Sequence, residues 1–128
     1  MVETPIAELI VGITRDPQFG LVLTLGSGGI WVELLKDTQT LLIPCDRDDI
    51  EQAIRRLKSA PLLDGYRGQP QADISAAIEA VMAIQSYALK HADRLIELDV
   101  NPLLICAIGQ GAYVADALII VEPPHQEP

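Results

Sequence analysis

Two stretches of helical periodicity lie in the middle of the chain, flanked on both sides by short apolar runs broken by Gly and Pro. That order restricts the fold more than any single motif does. Asp46 can cap the first helix, in which Ile50, Ala53, Ile54 and Leu57 recur at i, i+3, i+4 and i+7. The second helix starts near Asp73 and ends near His91, with Ile74, Ala77, Ile78, Val81, Ile84 and Ala88 on one broad apolar face. Ahead of them, strands are expected at Glu8 to Thr14, Leu21 to Leu25, Ile30 to Leu35 and Thr40 to Cys45. Arg15 to Gly20 and Lys36 to Gln39 read as turns, and Gly26-Ser27-Gly28-Gly29 interrupts the second and third strands. Between the helices, Ser59 to Gln71 holds two Pro and two Gly and reads as a long loop. Leu95 to Asn101 and Leu103 to Ile108 are two further strands, and Gly109-Gln110-Gly111 reverses the chain into a last one, Ala112 to Val121. Strands, helices and strands again give an α+β fold rather than an alternating βαβ sheet. Each apolar helix face needs a surface to cover, so a mostly antiparallel sheet carrying both helices on one face is expected. Residues 1–121 form this unit, and 122–128 are read as a Pro-rich disordered tail.

Length and composition bound the function. At 128 residues the chain fits one domain, and 49% hydrophobic with 21% charged residues is an ordinary globular balance. A net charge of −9, with nine basic residues mostly scattered, argues against nucleic acid. No apolar run approaches the roughly 20 residues of a membrane helix, and the N-terminus lacks a signal-peptide pattern, so a cytoplasmic protein is expected. Cys45 and Cys106 are isolated among apolar residues and read as small core residues; His91 and His125 carry no metal-ligand spacing. Acidity leaves room for a nucleotide, because bound Mg²⁺ neutralises phosphate and draws on carboxylates.

The segment richest in chemistry is Glu97-Leu98-Asp99-Val100-Asn101-Pro102. On a strand, Glu97, Asp99 and Asn101 project to one face while Leu98 and Val100 face the other way. Two carboxylates and an amide oxygen so placed suit a hard divalent cation, and they suit a solvated sheet face equally well. A two-residue turn at Gly109-Gln110 or Gln110-Gly111 would pair Asp116 with Leu103 or Ile105 and bring it to the face of Asp99 and Asn101; a three-residue loop would send it to the other face. Gly26-Ser27-Gly28-Gly29 is neither a P-loop nor a dinucleotide fingerprint. It reads as a glycine-rich hairpin loop, or as backbone N–H groups turned to an anion. Arg15-Asp16-Pro17 has the form of a type I turn.

These pieces together resemble the ATP-grasp domain of NDP-forming acyl-CoA synthetases, the acetate–CoA ligases that form ADP, which are related to the succinyl-CoA synthetase β subunit. The matching stretches are Glu8 to Gly20, Gly28 to Glu33, Pro61 to Gly68 and Glu97 to Leu104, with a spacing from Asn101 to Asp116 that also suits the family. The resemblance implies that ATP is gripped between two α+β subdomains and that its γ-phosphoryl group passes to a histidine of a partner domain. The phosphohistidine then phosphorylates a carboxylate, and CoA displaces the acyl phosphate. It implies Mg²⁺ ligation by Asn101 and Asp116 with Asp99 beside them, and places Gly26, Ser27, Gly28 and Gly29 near the transferred phosphate. The implied partners are ATP and ADP and the CoA-binding and phosphohistidine domains of the same enzyme; self-association is left open. The chain corresponds to the C-terminal subdomain of the clamp. No stretch matches the first subdomain or those other domains, so the chain alone is expected to be inactive. From another class, a non-catalytic regulatory or scaffolding module of this fold, such as the synthetase-like region of a protein acetyltransferase, is the alternative.

Overall fold

The computed structural model describes residues 5–28, 36–65 and 68–123. In chain order these form β1 (Ala7–Asp16), β2 (Gly20–Ser27), β3 (Thr38–Leu42), α1 (Arg47–Arg56), α2 (Ala60–Leu63), α3 (Ile74–Lys90), β4 (Leu95–Ile105), β5 (Ala112–Val114) and β6 (Ala117–Val121). The sheet runs β3-β2-β1-β4, with β5 and β6 both paired to the far side of β4, and every described pairing is antiparallel. Alternation decides which face is covered. Leu9, Val11 and Ile13 of β1, Leu21, Leu23 and Leu25 of β2, and Leu98, Val100, Leu103 and Ile105 of β4 are buried. They pack with Ile50, Ala53 and Ile54 of α1 and Ala77, Ile78 and Val81 of α3 into one core. Both long helices therefore lie on one face of the sheet, as the periodicity requires, and the opposite face carries none of the described helices.

Local chemistry sets the element ends. Asp16 closes the β1–β2 hairpin by accepting the N–H groups of Gln18 and Phe19 at 2.8 and 3.0 Å, and Gly20 takes a φ of 79°. Asp46 and Asp49 form a reciprocal capping box at the start of α1. Asp73 caps α3 through the Ala76 N–H at 3.1 Å. Arg15 reaches out of the hairpin to the α3–β4 turn, where its guanidinium donates to the carbonyls of Leu95, at 3.2 and 2.8 Å, and Ala92. Cys106 is buried, whereas Cys45 is half-buried under the Gln85 amide. That amide accepts the Cys45 N–H at 2.8 Å and donates to the Cys45 carbonyl at 2.9 Å. Burial, with Asp49 and Asp46 nearby, pushes the Cys45 thiol pKa up, away from the reactive thiolate.

Several elements differ from the sequence expectation. The Ser59–Gln71 segment contains α2, whose four residues are too few to show periodicity and whose Pro61 sits in the first turn, where the missing N–H costs nothing. The stretches Leu95–Asn101 and Leu103–Ile108 are one strand, β4, running through Pro102. The last strand is divided into β5 and β6 at Ala115-Asp116. β2 extends through Gly26 and Ser27, and β3 starts at Thr38, inside the expected turn. The strand expected at Ile30 to Leu35 lies outside the described residues, as does most of the tail. Among the described residues no helix is long and apolar enough to cross a membrane.

Candidate functional site

Asp99, Asn101 and Asp116 share the face of the sheet away from the helices. On β4, Leu98 and Val100 are buried toward the helices, while Glu97 and Asp99 are half-buried and Asn101 is exposed on the other side. Val100 pairs with Ala117 and Leu103 with Val114, leaving two residues between them on each strand. Asn101 thus falls opposite Asp116, and the Asn101 N–H donates to the Asp116 carbonyl at 3.0 Å. Ala117 faces the helix side as the partner of Val100, so its neighbour Asp116 turns to the face of Asp99 and Asn101. The expected register, Asp116 against Leu103 or Ile105, is corrected: the connection closes at Ile105 and Ala112 and is longer than a two-residue turn. The alternation of β4 breaks between Val100 and Leu103, both of which are buried toward the helices, so Asp116 shares the face of Asn101 because it pairs with Asn101, whereas a partner at Leu103 or Ile105 would have placed it on the helix side. The Asp116 carboxylate accepts the Ala117 N–H through Oδ1 at 2.9 Å and keeps a second oxygen for another ligand.

The backbone of Gly26, Ser27 and Gly28 is part of the sheet. Ser27 donates its N–H to the Asp37 carbonyl and Gly28 donates to the Glu8 carbonyl, each at 3.0 Å, while Gly26 is paired in the sheet to Thr38 and Ile10. Strand pairing thus occupies these three N–H groups. Gly29 lies outside the described residues. The Ser27 hydroxyl is buried and donates to the Asp37 carboxylate, with the Ser59 hydroxyl also against it. At Gly28 a Cβ would lie 2.5 Å from the Glu8 Cβ, so close strand approach accounts for that glycine.

Asp37 was invisible in the sequence, where it reads as a turn residue. It is 3% exposed and accepts from the Ser27 hydroxyl and from the backbone N–H groups of Lys58 at 2.6 Å and Ser59 at 3.0 Å. Burial pushes its carboxyl up, but the Ser27 hydroxyl, the two N–H groups and the Lys58 charge outweigh it and hold the pKa below the ordinary value of 3.8. Asp37 thereby ties the end of β2 to the α1–α2 connection. Asp73 plays a comparable part: beyond capping α3, its Oδ2 accepts the N–H groups of Gly109 at 3.1 Å and Gly111 at 2.9 Å, holding the loop that joins β4 to β5.

The profile of the ATP-grasp domain matches residues 1–121. The chain belongs to the ATP-grasp family. The β subunit of the ADP-forming acetate–CoA ligase II of Pyrococcus furiosus is 39% identical over 118 residues, a match covering 92% of this chain and 50% of that protein. The ADP-forming acetate–CoA ligase of Methanocaldococcus jannaschii is 36% identical over 119 residues, 93% of this chain and 17% of the relative. This ATP-grasp chain thus spans about half the length of the β subunit and a smaller share of the longer ligase. Among solved structures, a protein of Pyrococcus horikoshii superposes with a TM-score of 0.87 at 35% identity, over 95% of this chain and 51% of that one. The dinucleotide-forming acetyl-coenzyme A synthetase 1 of Candidatus Korarchaeum cryptofilum, solved with coenzyme A and Mg-AMPPCP, superposes at 0.85 with 35% identity, over 94% and 55%. For the ATP-grasp chain itself, the donors on the helix-free face fit a hard cation in kind, being carboxylate and amide oxygens. Among the described residues no three His, Cys, Asp or Glu gather into a metal cluster.

Proposed function

We propose that the chain is the Mg²⁺-ligand half of an ATP-grasp clamp in an ADP-forming acyl-CoA synthetase, acting in the cytoplasm on a carboxylate, CoA and ATP. The observation that carries this reading is the placement of Asp116 directly across from Asn101, with Asp99 on the same helix-free face. Asn101 and Asp116 would hold the metal of the nucleotide and Asp99 would add charge beside them, while nucleotide phosphates and water complete the six oxygens Mg²⁺ prefers. When bound, Mg²⁺ offsets the negative charge of the phosphates during phosphoryl transfer. The protein's share is orientation: a paired β4–β6 ladder fixes two of the donors at one height on a rigid sheet. The remaining half of the clamp and the CoA-binding and phosphohistidine domains are the partners this reading requires. Residues 1–121 serve as the C-terminal subdomain and 122–128 as its tail. No observation favours the non-catalytic module.

The test is reconstitution. The chain, combined with the remaining parts of the ligase, should restore carboxylate- and CoA-dependent release of ADP. Asp116→Asn should lower that rate on the order of 10²-fold or more while the fold is kept. ADP release that is indifferent to the presence of the chain would overturn the reading.

A further inference from the structure

Gly12 stands in the interior of β1, paired with Thr24 of β2 on one side and Asp99 of β4 on the other. Val11 and Ile13 face the core, so position 12 opens onto the helix-free face beside Asp99. Glycine is disfavoured in a strand interior because it loses more backbone freedom than other residues and packs no side chain. Two local reasons excuse it elsewhere in this chain. At Gly28 a Cβ would strike Glu8, and at Gly20 and Gly65 the backbone takes φ values of 79° and 89°. Neither reason holds at Gly12, whose φ is not among the positive ones and whose added Cβ would find only Asp99 Oδ1 at 3.9 Å and the Leu98 carbonyl at 4.0 Å, ordinary contacts. The protein's own atoms do not require a glycine there.

We infer that Gly12 is a clearance residue for the metal-bound nucleotide, the bare patch of sheet that lets the phosphate end of the ligand descend onto β1 beside Asp99. This rests on the reading of Asp99, Asn101 and Asp116 as the metal-facing group. A side chain at position 12 would stand up from the sheet next to that group and hold the phosphates off it. Steric exclusion grows with volume, so Gly12→Ala impairs binding less than Gly12→Val. Stability moves the opposite way, since both residues are better strand formers than glycine and the added Cβ meets only ordinary contacts.

Two measurements on the full chain test this. Thermal unfolding should place Gly12→Ala and Gly12→Val at or about 2–5 °C above the wild type. Amide chemical-shift titration with Mg-AMPPCP at millimolar concentration should move Gly12, Thr24 and Asp99 in the wild type, with the dissociation constant raised at least about tenfold in Gly12→Val, a loss of about 1.4 kcal/mol. Asp116→Ala separates the two ideas. If it abolishes the shifts while Gly12→Val binds like the wild type, the clearance role is wrong and the metal reading stands. If neither substitution changes the shifts, or the wild type shows none on this face, both are wrong. A melting temperature that falls on Gly12→Ala would assign the glycine to folding and also overturn the inference.

Discussion

Asp37 shows at the scale of one residue what sequence pattern misses. It precedes a strand and follows Lys36, so it reads as turn, yet its donors lie 10, 21 and 22 residues away and were brought to it only by the fold. Its carboxyl is held below its ordinary value on folding, so it stabilises the protein fully above that value, and the contribution drains away as pH falls through the lower folded value. Asp37→Asn keeps the volume but removes the charge that three donors address. Urea unfolding should show it about 2–3 kcal/mol less stable at pH 7, with the gap to the wild type shrinking as the pH is taken below about 3.9. A gap that ignores pH would contradict the charge-based account. Gly28 is the opposite lesson. Its place in a Gly-Ser-Gly-Gly run suggests an anion, whereas the 2.5 Å approach to Glu8 identifies a packing glycine. Gly28→Ala should destabilise by about 1–3 kcal/mol in the same assay.

At the scale of elements, long periodic segments were legible and short or interrupted ones were not. α1 and α3 begin after Asp46 and Asp73 because those side chains satisfy the first free N–H groups, and cap plus apolar period can be read directly. By contrast, Pro102 looks like a strand break, but β4 continues through it, because the ladder on either side at Val100 and Leu103 is held by β1 and by the β5–β6 segment. Asp116 takes the expected face by a different route: its partner is Asn101, and nothing local in the sequence announces where the loop closes or that the alternation of β4 breaks between Val100 and Leu103. Asp73 links the two halves of that question: one oxygen starts α3, the other holds Gly109 and Gly111 of the loop. Asp73→Ser should keep the cap and lose the loop acceptors, and Asp73→Ala should lose both, at about 1 kcal/mol for the cap alone. Melting temperatures should fall in the order wild type, Ser, Ala. Amide hydrogen exchange at Gly109 and Gly111 should quicken in both variants; unchanged protection in Asp73→Ser would show that the loop is held by something else.

For the whole molecule, the order of strands and helices was enough for the α+β class and for a one-sided helix layer, while the closing edge of the sheet was not foreseen. One face is a packed core and the other presents Asp99, Asn101 and Asp116, so the described residues offer a ligand a single wall. A ligand gripped from one side gains roughly half the contacts and still loses several kcal/mol of translational and rotational freedom. Calorimetry on the chain should accordingly find ATP binding weaker than about 100 μM, and a low-micromolar constant would contradict the one-wall picture. The central claim, that Asp99, Asn101 and Asp116 face one metal position, is tested most directly with Mn²⁺ as a paramagnetic stand-in for Mg²⁺. Added in small amounts with AMPPCP, Mn²⁺ should broaden the amide signals of Asp99, Asn101 and Asp116 first and leave those of α1 and α3 sharp, and Asp116→Ala should weaken the effect. Broadening centred on the acidic residues of α1, with the β4–β6 signals untouched, would contradict it.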